Sequence, residues 1–398
     1  MEIADHRAGR NSKVHMRRIS LGLKAGALFA ALVAAKAGSG EPAPLAEFRI
    51  GKEGRVILVP ARLNQKDIRL FVDTGSTRSG FDTAIEPQLG DAKGRIVLET
   101  SAGRVEVSEY ECPTMELGTL KVRSDTTIFC HSLRDLRQVS NADFAGVLGM
   151  DILKDYVVQI DFAAGVLKLF KQLPAPPDDL GAALPLTFQA NARPHVVANC
   201  GTLMRDFLVD TGSTETCVDT ATFNALAKHH EMRIGPTRLV ATANGHVKSR
   251  IGLLDKIAVG PFSHESILCD EDLTNTLGLR YLSRYTVTFD FPGRVAYFAK
   301  GKDFLKKDPQ GATGIALMCQ GQGFVVSRMK RDGSAEKAGL QVADELLAID
   351  DEEVAQLDLF SIGQKLTSPV GRLVRLKVRR NGRDLNLAIT IQNRFELQ

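Results

Sequence analysis

The sequence predicts a mainly β protein: two pseudo-symmetric lobes followed by a small α+β module. Three observations carry this. An apolar run ending in Asp-Thr-Gly-Ser-Thr occurs twice, as Leu70-Phe71-Val72-Asp73-Thr74-Gly75-Ser76-Thr77 and as Phe207-Leu208-Val209-Asp210-Thr211-Gly212-Ser213-Thr214. Further landmarks then recur in the same order, which marks an internal repeat. Finally, short alternating runs with turn punctuation fill both copies, the signature of antiparallel strands.

The matched landmarks are Thr127-Ile128-Phe129-Cys130 with Ser266-Ile267-Leu268-Cys269, and Val147-Leu148-Gly149 with Thr276-Leu277-Gly278. Tyr156 to Phe162 matches Tyr285 to Phe291. The closing strands Val166 to Phe170 and Val295 to Phe298 complete the series. These set a first lobe at residues 45–172, with strands at Arg55 to Val59, Ile68 to Val72 and Val105 to Val107. A stiff, polar linker at 173–183 contains Pro174, Pro176 and Pro177, and a second lobe spans 184–300. Residues 300–314 read as another polar linker.

The segment 311–395 has a different texture. Gly323 to Ser327 and Glu345 to Asp350 read as strands, and Ser334 to Leu340 as a short helix with Ser334 as N-cap and Gly339 as its stop. Leu357 to Leu366 has helical spacing. Leu373 to Val378 and Leu385 to Ile389 form a hairpin about Asn381-Gly382. The basic run Arg372, Arg375, Lys377, Arg379, Arg380 and Arg383 reads as a solvated strand and turn offset by the acids from Asp350 to Glu353.

Net charge is +4, but residues 1–37 hold seven Lys/Arg against Glu2 and Asp5, so the remainder carries −1. A nearly neutral body excludes a nucleic-acid partner, which needs a basic surface to release counterions. Residues 1–37 read as a signal peptide: Arg17-Arg18, an apolar stretch from Ala25 to Ala35, and small residues before Gly38. Export to the periplasm or another extracytoplasmic space is expected. Membrane attachment would follow only from an uncleaved signal, and Met16 is the more usual start for such a segment. Six cysteines suit an oxidising compartment and allow fifteen full pairings. No metal-ligand spacing occurs, so no metal and no cofactor are expected. His195, His229, His230 and His246 read as surface or loop residues.

One acid per repeat is the equipment of a hydrolase that needs neither metal nor covalent intermediate. An Asp emerging from a buried strand is brought forward by the Gly turn. The Thr hydroxyl can bond to the other copy, and the following Ser can donate to the carboxylate. Two carboxyl groups held together cannot both ionise cheaply; they share one proton, and the charged member activates water while the other donates to the carbonyl under attack.

On these residues the two lobes resemble the pepsin and retropepsin clan of aspartic peptidases, closer to two retroviral-type lobes fused in one chain than to pepsin. The resemblance implies closed antiparallel β-barrel lobes, Asp73 and Asp210 as the catalytic pair, and Thr74, Gly75, Ser76, Thr211, Gly212 and Ser213 as its support. It also implies flap hairpins, for which Ser101 to Arg104 and Ala243 to His246 are candidate tips; neither carries the Tyr found in pepsin relatives. Ser334 to Leu340 and Asp344 to Asp350 resemble a bacterial-type PDZ domain, with Ala343 where that family usually has Gly. By that analogy Gly314, Ile315, Ala316 and Leu317 would receive a peptide C-terminus. The implied function is an exported aspartic endopeptidase acting on polypeptides, its PDZ domain recruiting or gating them. The alternative is an inactive protease-like adaptor acting through that domain.

Overall fold

The structure, a computed structural model, describes residues 42–100, 102–188, 192–242, 245–320, 323–357, 359–367 and 369–396. The expected signal peptide, its cleavage point before Gly38 and the start at Met16 lie outside them, as do Ser101, Ala243 and Asn244 of the expected flap tips. Among the described residues no helix is long and apolar enough to cross a membrane.

The two repeats meet in a six-stranded antiparallel sheet. Its order is Ala46–Arg49, Val166–Phe170, Val157–Asp161, Tyr285–Asp290, Val295–Lys300 and Ala182–Pro185. The matched strands pair with each other at its centre, Gln159 opposite Thr288, and the Gln159 amide donates to Thr288 Oγ1 at 3.0 Å. Repeat symmetry and hydrogen-bond register therefore share one axis. A single apolar cluster runs through both lobes, from Ile57 and Leu70 to Phe207 and Phe298, so the lobes share a core.

The second lobe is a closed barrel. Pro194–Cys200, Leu203–Val209, Thr276–Leu277, Thr216–Asp219, Phe262–Asp272 and Gly245–Val259 follow one another, and the last pairs back with the first. In the first lobe the counterpart of the long Gly245–Val259 strand is broken into Gly103–Tyr110 and Met115–Leu117. Pro113 lies in the break and has no N–H to give a ladder. The barrel strands are not all antiparallel, as the resemblance implied. Lys66–Val72 runs parallel to Gly146–Leu148, and Leu203–Val209 parallel to Thr276–Leu277. Parallel neighbours need a long crossover, and here the crossover is most of a lobe.

Both expected flap segments are hairpin ends. Thr100 pairs with Gly103 and Thr242 with Gly245. Each Thr hydroxyl donates to the Gly carbonyl, at 2.9 and 3.0 Å, and both glycines have positive φ.

The C-terminal module has its own core, built on Phe324, Leu346, Ile349, Ile362 and Val374. Its sheet runs Ile315–Gln320, Gly323–Met329, Glu345–Ile349, Leu373–Arg380, Arg383–Thr390, with helices Ser334–Lys337 and Leu359–Thr367. The hairpin turns at Asn381-Gly382, both at positive φ. Gly333, not Ser334, is the N-cap: its backbone is extended, whereas Ser334 is already helical and its hydroxyl caps nothing. The basic run is paired as its acidic neighbours suggested, with Arg372 on Asp350, Arg375 on Asp351 and Arg380 on Asp344.

The stretch 300–314 is not a free linker. Phe304 packs edge-on against Phe262 and His264, and Asp308 is buried, accepting from Leu268 N–H at 2.8 Å and pairing with Arg284 at 2.6 Å. All six cysteines are free thiols. His195 is a buried strand residue and not a surface one, its Nδ1 2.9 Å from the Arg193 carbonyl, while His229 and His230 are exposed.

Candidate active site

Each Asp-Thr-Gly follows a buried strand, and the parallel neighbour fixes where the Asp emerges. Asp73 N–H donates to Leu148 O at 3.0 Å and Asp210 N–H to Leu277 O at 3.1 Å. The apolar-Gly elements found in the sequence are therefore the seats of the two loops.

The loops interlock through their threonines. Thr74 N–H donates to Thr211 Oγ1 at 3.1 Å, and Thr211 N–H to Thr74 Oγ1 at 3.0 Å. The Thr74 hydroxyl donates onward to Val209 O at 2.6 Å, and the Thr211 hydroxyl to Val72 O at 2.8 Å. Both side chains are fully buried. Four reciprocal bonds in a dry contact leave little freedom to either Asp.

The carboxyl groups of Asp73 and Asp210 are hydrogen-bonded to each other. Asp73 Oδ1 also accepts from the N–H groups of Gly75 (2.8 Å) and Ser76 (3.0 Å), and Asp210 Oδ1 from Gly212 N–H (2.7 Å). Burial, then the charge of Asp210, then the bond to it push Asp73 well above the usual carboxylate range. Burial raises Asp210 too, but Gly212 N–H, the bond from Asp73 and the nearby Arg193 charge oppose the rise. Two buried carboxyls so placed cannot both ionise cheaply, and their titration belongs to the pair.

Two expected roles are corrected. Ser76 and Ser213 do not donate their hydroxyls to the carboxylates; they donate to Arg78 O (2.7 Å) and Glu215 O (3.1 Å) and so shape the loops. Gly75 and Gly212 are not required for a left-handed turn, since neither has positive φ. They are required for space. A Cβ on Gly75 would lie 2.5 Å from Asp210 Cγ, and one on Gly212 would collide with Asp73 in the same way.

A charged network behind the second loop was missed in the sequence. Glu215 is paired with Arg280 through Nε–Oε2 (2.6 Å) and Nη2–Oε1 (2.8 Å). Arg238, from the hairpin strand Met232–Thr242, lies 3.6 Å from Glu215 and pairs with Asp270. Burial would raise Glu215, but Arg280 and then Arg238 outweigh it and hold it near 2. In the first lobe the matched position is Arg78, 3.4 Å from Glu109 on the hairpin strand Gly103–Tyr110. Each loop is thus tied to its own hairpin by an ion pair of opposite polarity. The opposite charges at matched positions, Arg78 with Asp151 and Glu215 with Arg280, were the available signal, although Asp151 serves Ser79 instead.

Gly314 has positive φ and leads into Ile315–Gln320, an edge strand of its sheet, with Ile315, Ala316 and Leu317 half-buried. The module touches the first lobe, where Arg55 donates to Ser361 Oγ at 3.0 Å and lies over the Phe360 ring, and where Cys319 of this strand lies 3.5 Å from Gln138 O.

Two barrel lobes with one Asp-Thr-Gly loop apiece, meeting at a hydrogen-bonded pair of aspartates, define an acid-protease architecture. The chain matches the aspartyl protease family over residues 59–152 and 196–271, one segment in each lobe, and the PDZ domain family over residues 325–380. The two lobes are thus similar to the aspartyl protease family and the C-terminal module to the PDZ domain family. No curated protein matches the chain. Among solved structures, the photosystem II D1 C-terminal processing protease matches with 22% identity and a TM-score of 0.21, over 23% of this chain and 26% of that one. That likeness carries no argument.

Proposed function

We propose that the protein is an exported aspartic endopeptidase in which Asp210 activates a water and Asp73 supplies the shared proton to the carbonyl of an extended polypeptide. The observation that carries this is the threonine-locked pair of loops, which holds two buried carboxyls against each other. Asp210 takes a proton from water as the oxygen attacks. Asp73 donates its own to the developing oxyanion, and the pair returns a proton to the leaving amine.

The pair's combined titration sets the pH profile. Activity falls in acid as Asp210 protonates and falls again as pH rises through the elevated Asp73 value. A raised carboxyl also stabilises the fold below that value and ceases to do so above it. Asp73→Asn and Asp210→Asn should each lower peptide hydrolysis by at least ~10²–10⁴-fold with the fold retained. A statine-type hydroxyl inhibitor should block the wild type, and chelators should not. Appreciable hydrolysis by either single variant sinks the assignment.

The PDZ domain would recruit polypeptides by adding a C-terminal strand at Ile315–Gln320, held at Gly314 to Leu317. Export is supported by the charged, apolar and small-residue order of residues 17–37. N-terminal sequencing of the native protein should find a start near Gly38; a chain still carrying residues 16–37 would mean an anchored form.

A further inference from the structure

The chain does not end with the PDZ sheet. Gln392–Asn393 pairs with Gly311–Ala312, and the next two residues leave the domain and enter the second lobe. Phe395 is 5% exposed and packs against Ile251, Leu253 and Leu268 of the barrel. Its ring fills the space over Gly235, where a Cβ would lie 2.8 Å from Phe395 Cε1. Here the hairpin strand Met232–Thr242 slips register, between Ile234 and Thr237. Pro236 sits in that slip and cannot donate a ladder bond. Arg233 closes over the ring at 5.6 Å.

Arg394 is buried beside Phe395. Its backbone N–H donates to Gln310 O (3.0 Å) and its Nη2 to Gly311 O (2.6 Å), while its Nε has no partner. Burial, and then Arg238, lower its pKa to about 10, with Glu215 and Asp270 opposing. Its charge is thus felt by the cluster that ties the Asp210 loop to this hairpin. Gly311–Ala312, the strand that holds the tail, lies just before the Gly314 loop, and Thr313 N–H donates to Leu366 O of the helix Leu359–Thr367. Tail, peptide loop and helix form one unit.

We propose that the C-terminal tail is a positioning element of the protease body: Phe395 sets the hairpin 232–259 from behind, at its irregular point, so that the PDZ domain completes the substrate cleft of the second lobe. This rests on the protease reading for its effect on the reaction, but not for the coupling of tail to hairpin. The hairpin changes register at a Gly-Pro pair, and the Phe395 ring packs onto that point.

The test uses the full chain carrying Phe395→Ala, Phe395→Leu or Gly235→Ala. Hydrogen exchange is followed by mass spectrometry, and hydrolysis is measured on a short peptide. In Phe395→Ala, amides of 232–242 and 245–259 should exchange about tenfold faster or more, with the six-stranded sheet unchanged. KM should rise while kcat moves less, because the hairpin would grip substrate without contributing a proton. Phe395→Leu should restore most of both. Gly235→Ala, which pushes on the ring from the other side, should reproduce the loss and serves if Phe395→Ala does not fold. Unchanged exchange in the hairpin, with either variant folded, overturns the proposal. Faster exchange in a protein whose Asp73→Asn variant still hydrolyses peptide would uphold the tail's role and sink the dyad instead.

Discussion

Thr74 and Thr211 each do with one hydroxyl what neither could do alone, accepting from the opposite loop and donating into the strand behind it. Replacing Thr74 by Ala leaves Thr211 N–H and Val209 O without partners in a dry interface. Unmet buried groups cost about 1–3 kcal/mol each. Chemical denaturation of Thr74→Ala should therefore show a loss of about 2–5 kcal/mol, largely restored in Thr74→Ser, which keeps the hydroxyl. The double variant with Thr211→Ala should lose less than the sum, because each pair of bonds holds the same two loops together and loosening the loops through one threonine already weakens the bonds of the other. Strict additivity would mean that the interlock does not act as a unit. Gly75 shows how far such a residue can be read from sequence. That Gly was needed was legible, but the reason given was a turn, and the actual reason is the carboxyl of a residue 135 positions away.

Among the elements, the PDZ turn before Glu345–Ile349 carries a measurable strain. Ala343 stands at φ 72°, in the left-handed region, which costs an L-residue about 1–2 kcal/mol. Its N–H donates to Val326 O at 2.8 Å, and the buried Asp344 beside it pairs with Arg380, so the turn is held in place from both sides. Ala343→Gly should raise the stability of the domain by about 1 kcal/mol, after the entropy that Gly adds to the unfolded chain. Thermal unfolding of the two proteins checks this; a destabilised Gly variant would show that the turn relaxes without strain. The departure from the family pattern at this position was visible in the sequence, and its conformational meaning was not. Elements with local signals, such as the hairpin at Asn381-Gly382, were legible with the correct turn. The parallel pairings were not, because a two-residue strand such as Thr276–Leu277 carries no periodicity from which a direction could be read.

At the scale of the whole molecule, the polar composition of 300–314 suggests that the PDZ domain could be cut away near Lys300. The structure moves the boundary. Phe304 and Asp308 belong to the second lobe, where Phe304 covers His264 and Tyr285, and His264 Nε2 lies 2.5 Å from the Tyr285 hydroxyl. A chain ending at residue 300 should unfold at a clearly lower temperature than one ending at 309, since it loses a half-buried aromatic ring and leaves the buried Arg284 without its acid. Breaking the buried pair alone costs about 3–5 kcal/mol. Equal melting temperatures for the two truncations would show that the segment contributes nothing to the lobe. The same cluster gives the lobe an acid limit. Burial, with Arg284 adding to it, lowers His264 to about 4, below the ordinary histidine value of about 6.5. The unfolded chain takes up that proton first, so stability is lost as pH falls from about 6.5 to about 4.

What the sequence by itself determined is whatever was written locally or written twice. The aspartate pair, the glycine elements seating it, the matched strands and the C-terminal hairpin were all legible, because duplication turns a weak tripeptide into a pattern and turn residues act on their own backbone. The tertiary structure alone decided what depends on partners far apart in the chain. The serine hydroxyls turn to carbonyls of their own loops, those of Arg78 and Glu215. Glu215 and Arg280 meet only when the barrel closes. Phe395, which the sequence presents as an apolar residue in a polar tail, is buried because a glycine 160 residues earlier leaves room for its ring. Burial and close approach are properties of packed surfaces, and neither leaves a periodic trace in the sequence of one chain.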